Sequence, residues 1–173
     1  MQPGRLIRAA RRLTAALGEG TGLAGGLAVA AWGEIRATRD VDIVTMRPLA
    51  DVEERLHREG ISFSTRLGDP LGNDLPWVVE GELEGAHFQV FAPRGGRAFA
   101  TVNVSPAGDE GAAVPVVALT DLVRLKLEAG ESKDLWDVSR LVRRHPGQRQ
   151  GAMAVASTLG LEAELTRWLE REH

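Results

Sequence analysis

Apolar positions recur at three-to-four spacing along the first stretch of the chain. Leu6, Ala9, Ala10, Leu13, Ala16 and Leu17 form one stripe, which predicts an amphipathic helix over residues 4–17. Gly18 and Gly20 stop it. A short helix rich in small residues is predicted over about 25–33, followed by a strand at Val41–Thr45. Pro48 marks the start of a further helix carrying Leu49, Val52, Leu56 and His57, and Gly60 ends it. The apolar period then drops to two. Residues 61–66 alternate like a strand and residues 68–76 have the turn chemistry of a loop. Trp77–Leu83 and Ala86–Phe91 read as two strands of a hairpin turning at Glu84-Gly85. A weaker strand over 98–104, a loop over 105–113 and a short apolar strand at Val114–Val117 follow.

From Thr120 the helical period returns. Thr120 or Asp121 is the expected N-cap of a helix bearing Leu122, Val123, Leu125, Lys126 and Leu127. After Ala129-Gly130 another helix carries Leu135, Trp136, Val138, Leu141 and Val142 as far as His145-Pro146-Gly147. Helices near 150–158 and 161–172 complete the pattern. A small mixed sheet with helices at both ends is an α+β fold. Its expected organisation is a single domain, 1–173, with a sheet core over about 20–118 and a helical C-terminal region over 119–173.

Composition adds bounds rather than detail. The chain has 173 residues, 43% hydrophobic and 26% charged, values of a soluble globular protein with enough length for a sizeable core. It holds no cysteine, which excludes a disulfide framework, a zinc–thiolate site and a thiol nucleophile and fits a reducing cytoplasm. A formal net charge of -3 argues against non-specific polyanion binding as the main task. Two basic clusters stand out locally: Arg5, Arg8, Arg11 and Arg12, and then Arg140, Arg143, Arg144, His145 and Arg149. Either offers contacts for RNA phosphates, and a solvated helix face is the simpler reading of both. Glu19 and the nearby glycines interrupt the alanine-rich run after the first arginines, so neither a signal peptide nor a membrane span is expected.

The candidate chemistry lies between Gly25 and Val44. Side chains alternate faces along a strand, so Asp40 and Asp42 point the same way. Two adjacent carboxylates repel unless a cation lies between them, and a hard divalent ion, Mg²⁺ or Mn²⁺, is the natural occupant. An Asp pair in ordinary turn or salt-bridge contacts is the competing reading. Upstream, Gly25 and Gly26 offer bare backbone N–H groups at a helix start, a cradle for phosphate, or else simply a tight turn. Phosphate and metal together suggest nucleotide chemistry.

The order Gly25-Gly26, then Arg36-x-Thr38-x-Asp40-x-Asp42, then the helical Lys126, then Lys133-Asp134-x-x-Asp137 resembles the nucleotidyltransferases of the DNA polymerase beta type. Within that superfamily it is most similar to the AbiEii-type and minimal bacterial members. The resemblance spans about residues 20–142. It implies a nucleotidyltransferase sheet core and transfer of a nucleoside monophosphate from a nucleoside triphosphate to a hydroxyl of RNA, protein or a small molecule. Asp40 and Asp42 would then be catalytic metal ligands for Mg²⁺ or Mn²⁺. Gly25, Gly26, Arg36, Thr38 and Lys126 would bind the nucleotide, with Lys126 and Asp134 also catalytic. Arg36 reads equally well as an ion pair holding its loop, and Lys126 as a lysine snorkelling from an apolar helix face. Asp134 and Asp137, three residues apart, share a helix face, where one of them faces Lys126 or the acceptor, or both favour the helix dipole.

The same resemblance implies a toxin–antitoxin or phage-defence setting in the cytoplasm, with an antitoxin as a partner. Two other readings stand beside it: a catalytically weakened nucleotide-binding or protein-interaction module, and an antibiotic-modifying nucleotidyltransferase. One departure bears on the choice. The superfamily commonly carries a third carboxylate on a neighbouring strand, and the matching strand here has Gln89. Glutamine cannot act as a base. His87, Glu80 and Glu82 are the nearby side chains with the chemistry to replace it.

Overall fold

A computed structural model describes residues 3–69, 75–105 and 111–171. Parts of the predicted loops at 68–76 and 105–113, and the end of the last predicted helix, lie outside the described residues. The elements run α1 (Pro3–Leu17), β1 (Thr21–Leu23), α2 (Gly25–Ala31), β2 (Asp40–Thr45), α3 (Leu49–Arg58), β3 (Phe63–Leu67), β4 (Trp77–Leu83), β5 (Ala86–Phe91), β6 (Thr101–Val104) and β7 (Val114–Val117). The helical third follows as α4 (Leu119–Ala129), α5 (Ser132–Arg144), α6 (Arg149–Thr158) and α7 (Glu162–Glu170). The α+β expectation holds. The seven strands form one mixed sheet in the order β3-β4-β5-β2-β1-β7-β6.

Three local expectations need correction. The three-residue strand β1 was not anticipated; Thr21-Gly22-Leu23 is too short for any periodicity, and it is a strand because β2 pairs with it antiparallel and β7 parallel. The helix expected to start at Thr120 or Asp121 starts at Leu119, and Ala118 caps it without a side-chain bond. Asp121 instead accepts the Ala100 N–H, and Thr120 bonds Gln148. The helix predicted over 25–33 stops at Ala31. The hairpin at Glu84-Gly85 is as expected, with φ values of 55° and 70°, the two left-handed residues of a tight two-residue turn.

Register decides which side chains meet. Strand β2 pairs parallel with β5, setting Asp40 beside His87 and Asp42 beside Gln89; β4 then sets Glu82 beside His87 and Glu80 beside Gln89. All six polar side chains therefore share one sheet face. The opposite face carries Val41, Ile43, Phe88, Val90 and Val79, all fully buried. Helix α1 packs against β1, β2, β5 and α3, and Leu6, Ala9, Ala10, Leu13 and Leu17 of the predicted stripe are buried, with Ala16 half-buried. On the polar face, α2 lies against β2 and α4, and α4 in turn packs on α5 and α6. Among the described residues no helix is long and apolar enough to cross a membrane.

Gly81 marks a tight point of the sheet packing. A Cβ there would stand 2.5 Å from the Ser62 carbonyl oxygen and 2.9 Å from the Phe88 ring. Backbone on one side and a fully buried ring on the other leave nothing to yield. Gly81→Ala is therefore expected to destabilise the fold by about 1–3 kcal/mol, read as a lower urea midpoint; an unchanged midpoint would show that the sheet relaxes around the methyl.

Candidate active site

The polar sheet face opens into a cavity of about 570 Å³, of the size that holds a small-molecule cofactor. Strand β5 supplies part of its lining through His87, Gln89 and Phe91, and α4 another part through Leu122, Leu125 and Lys126. Every residue expected at the site lines it: Gly25, Gly26, Arg36, Thr38, Asp40, Asp42, Lys126 and Asp134. Residues separated by more than a hundred positions thus converge.

The contact between β2 and α2 is steric as well as polar. Gly25 has φ +58°, and a Cβ built on it would fall 1.7 Å from Asp42 Oδ2. The carboxylate occupies the space a side chain would need, and the Gly26 N–H donates to it. Over Gly26, a Cβ would meet the Thr38 hydroxyl at 2.8 Å and Arg36 Nη2 at 3.2 Å. Glycine is required at both positions because these polar groups close directly onto the backbone.

Lys126 is not a snorkelling lysine. It is 7% exposed, and its Nζ lies 2.5 Å from Asp134 Oδ1 and 2.8 Å from Asp137 Oδ2. Both acids of the i, i+3 pair therefore face it. Arg36 donates Nε to Asp137 Oδ1 at 2.7 Å and Nη2 to Oδ2 at 3.0 Å, a bidentate pair, so the loop-holding ion pair exists. Lys133 stands at the rim beside Glu131, whose carboxylate raises its pKa. His87 Nδ1 is 3.5 Å from Asp40 Oδ1. Phe91 and Arg94 also line the cavity and were missed; Arg94 bonds the Glu128 carbonyl at the end of α4. A single Arg in a Pro-Arg-Gly-Gly turn carries no sequence signal for that contact.

The basic clusters have mostly internal partners. Arg140 and Arg144 pair with Glu34, and Arg143 donates to the carbonyls of Trp168, Leu169 and Arg171 at the end of α7. His145 bonds the Trp32 carbonyl. In α1, Arg11 reaches the Ala112 carbonyl and Arg12 reaches Glu84 and the Glu59 carbonyl.

No protein-family profile matches the chain, and no curated protein sequence matches it significantly. Solved structures do. TM1012 of Thermotoga maritima, assigned as a nucleotidyltransferase, superposes with a TM-score of 0.56 at 15% identity, covering 83% of this chain and 96% of that one. The antibiotic-resistance factor ANT(2'')-Ia superposes with a TM-score of 0.55 at 14% identity, covering 94% of each. The chain shares the fold of these nucleotidyltransferases.

Burial pushes the Asp42 carboxyl above its ordinary 3.8, Lys126 opposes the rise and Asp40 adds to it. A carboxyl harder to ionise when folded holds its proton longer in the folded chain. Its contribution favours the fold below the unfolded value and is lost as pH climbs through the higher folded value. Asp42→Asn keeps an oxygen for the Gly26 N–H and removes the buried charge. In buffer containing a chelator it is expected to melt above the parent protein at pH 7 and to lose that advantage below about pH 4. A lower melting temperature for the variant at pH 7 would refute this.

Proposed function

We propose that the protein is a metal-dependent nucleotidyltransferase, moving a nucleoside monophosphate from a nucleoside triphosphate to a hydroxyl acceptor with pyrophosphate leaving. The observation that carries this reading is one cavity bringing the Asp40–Asp42 pair, the Gly25-Gly26 backbone and the Lys126 ammonium together. The shared fold supports it.

The donor set suits Mg²⁺ or Mn²⁺. Among the described residues no three His, Asp or Glu side chains form a cage, and Mg²⁺ needs none, since it is bound by one or two carboxylates plus waters and substrate phosphates. Asp40 and Asp42 would hold it. When bound, the ion neutralises phosphate charge and makes an acceptor hydroxyl easier to deprotonate.

The rest falls to the chain's own residues, because phosphoryl-type transfer requires positioning and charge stabilisation more than covalent help. The Gly25 amide binds a phosphate oxygen while the Gly26 N–H holds Asp42, Arg36 and Lys126 add positive charge, and Thr38 closes over Gly26. Asp134 holds the Lys126 ammonium in place. The resemblance of the motifs to AbiEii-type proteins supports a toxin–antitoxin or phage-defence setting with an antitoxin partner. ANT(2'')-Ia as a fold neighbour supports a small-molecule antibiotic as acceptor.

Gln89, in register with Asp42, favours a second reading: a nucleotide-binding module with weakened catalysis. Incubation with each α-labelled nucleoside triphosphate, Mg²⁺ or Mn²⁺, and total RNA, lysate protein or an aminoglycoside separates the two. Label should move to one acceptor class, with transfer reduced about a thousand-fold or more in Asp42→Ala. Binding without transfer to any acceptor would favour the second reading, and no binding of any triphosphate would overturn both.

A further inference from the structure

Asp137 does not line the cavity, yet it holds two side chains that do. Fully buried, it receives the fork of Arg36 on both oxygens and the ammonium of Lys126 on Oδ2. We infer that Asp137 is a positioning residue for anion recognition: from behind the cavity wall it sets where Arg36 and Lys126 present their remaining donors to a chain of phosphates. This rests on the nucleotide-binding reading above.

Donor counting shows what the clasp leaves over. A guanidinium has five N–H donors, and Arg36 commits three, two to Asp137 and one to the Ala37 carbonyl. An ammonium has three, and Lys126 commits one each to Asp134 and Asp137. Two donors remain on Arg36 and one on Lys126. The bidentate fork fixes the guanidinium plane, and Nη2 lies against Gly26, where a Cβ would be 3.2 Å away. The uncommitted Nη2 donor therefore stands beside the glycine backbone in a set orientation. Arg36 and Asp137 are 101 positions apart, so the clasp also ties the segment leading into β2 to helix α5.

Charge alone predicts the opposite consequence. Removing a carboxylate from behind two cations strengthens attraction for any anion, whatever its shape. Positioning predicts instead a loss of discrimination between three linked phosphates and a single small anion. The two roles thus separate by the ratio of two affinities, which a general loss of stability does not move.

The experiment uses the full chain with Mg²⁺ at fixed concentration. Apparent affinities for inorganic tripolyphosphate and for sulfate are taken from the concentration dependence of melting. The parent protein should prefer tripolyphosphate. Asp137→Asn should cut that preference about ten-fold or more, Arg36→Lys should do likewise, and the double variant should lose little further. Val138→Ala, in the buried face of the same helix, should lose stability and keep the preference. An unchanged or increased preference in Asp137→Asn overturns the inference. If that variant does not fold, Arg36→Lys decides: a fall sustains the clasp, and an unchanged ratio overturns it. A parent protein with no preference for tripolyphosphate removes the nucleotide-binding reading itself.

Discussion

The site is organised around the missing side chain at Gly25. Asp42 Oδ2 lies where a Cβ would be, so strand β2 and the start of helix α2 approach more closely than any other residue permits. That approach lets the Gly26 N–H reach the carboxylate and brings the Gly25-Gly26 backbone and the Asp40–Asp42 pair to one point. It also has a cost. Burial against α2 makes Asp42 harder to ionise, and Asp40 two residues away worsens it.

The second constraint is how the helical third meets the sheet. Lys126, Asp134 and Asp137, all buried, and the half-buried Arg36 make a cluster of two cations and two anions across the segment before β2, α4 and α5. Such clusters add little net stability over apolar packing, yet become strongly unfavourable when one member is removed. Their value is in specifying geometry. Glu34, paired with Arg140 and Arg144, anchors the same segment from its other end. Between the two anchors Ile35 is 87% exposed, the sign of a backbone held by its neighbours rather than by its own burial.

Electrostatics also narrows what the surface offers. Arginines that look like RNA-binding clusters in the sequence mostly satisfy carbonyls and carboxylates within the chain. On the sheet face beside the cavity, Glu80 and Glu82 extend the rows begun by Asp42-Gln89 and Asp40-His87. A polyanionic acceptor would approach past these carboxylates. Gln89 stands inside this row, with Glu80 one strand further out.

Much of this was legible beforehand, and the reason is locality. Amphipathic stripes, the hairpin at Glu84-Gly85 and the helix stops at Gly18 and Gly60 each depend on residues within a few positions, where side-chain period and backbone preference act directly. The shared face of Asp40 and Asp42 follows from strand geometry alone. What depended on distant partners was hidden. A three-residue strand exists only because two neighbours pair with it, and the start of α4 moved because Asp121 serves a strand-side amide instead of its own helix. Arg36 was balanced between phosphate ligand and ion pair, since no local rule places Asp137 against it across 101 positions. The sequence by itself determined the elements and the chemical character of the site. Only the tertiary structure decided which buried charges neutralise one another, because that depends on distances that chain spacing does not encode.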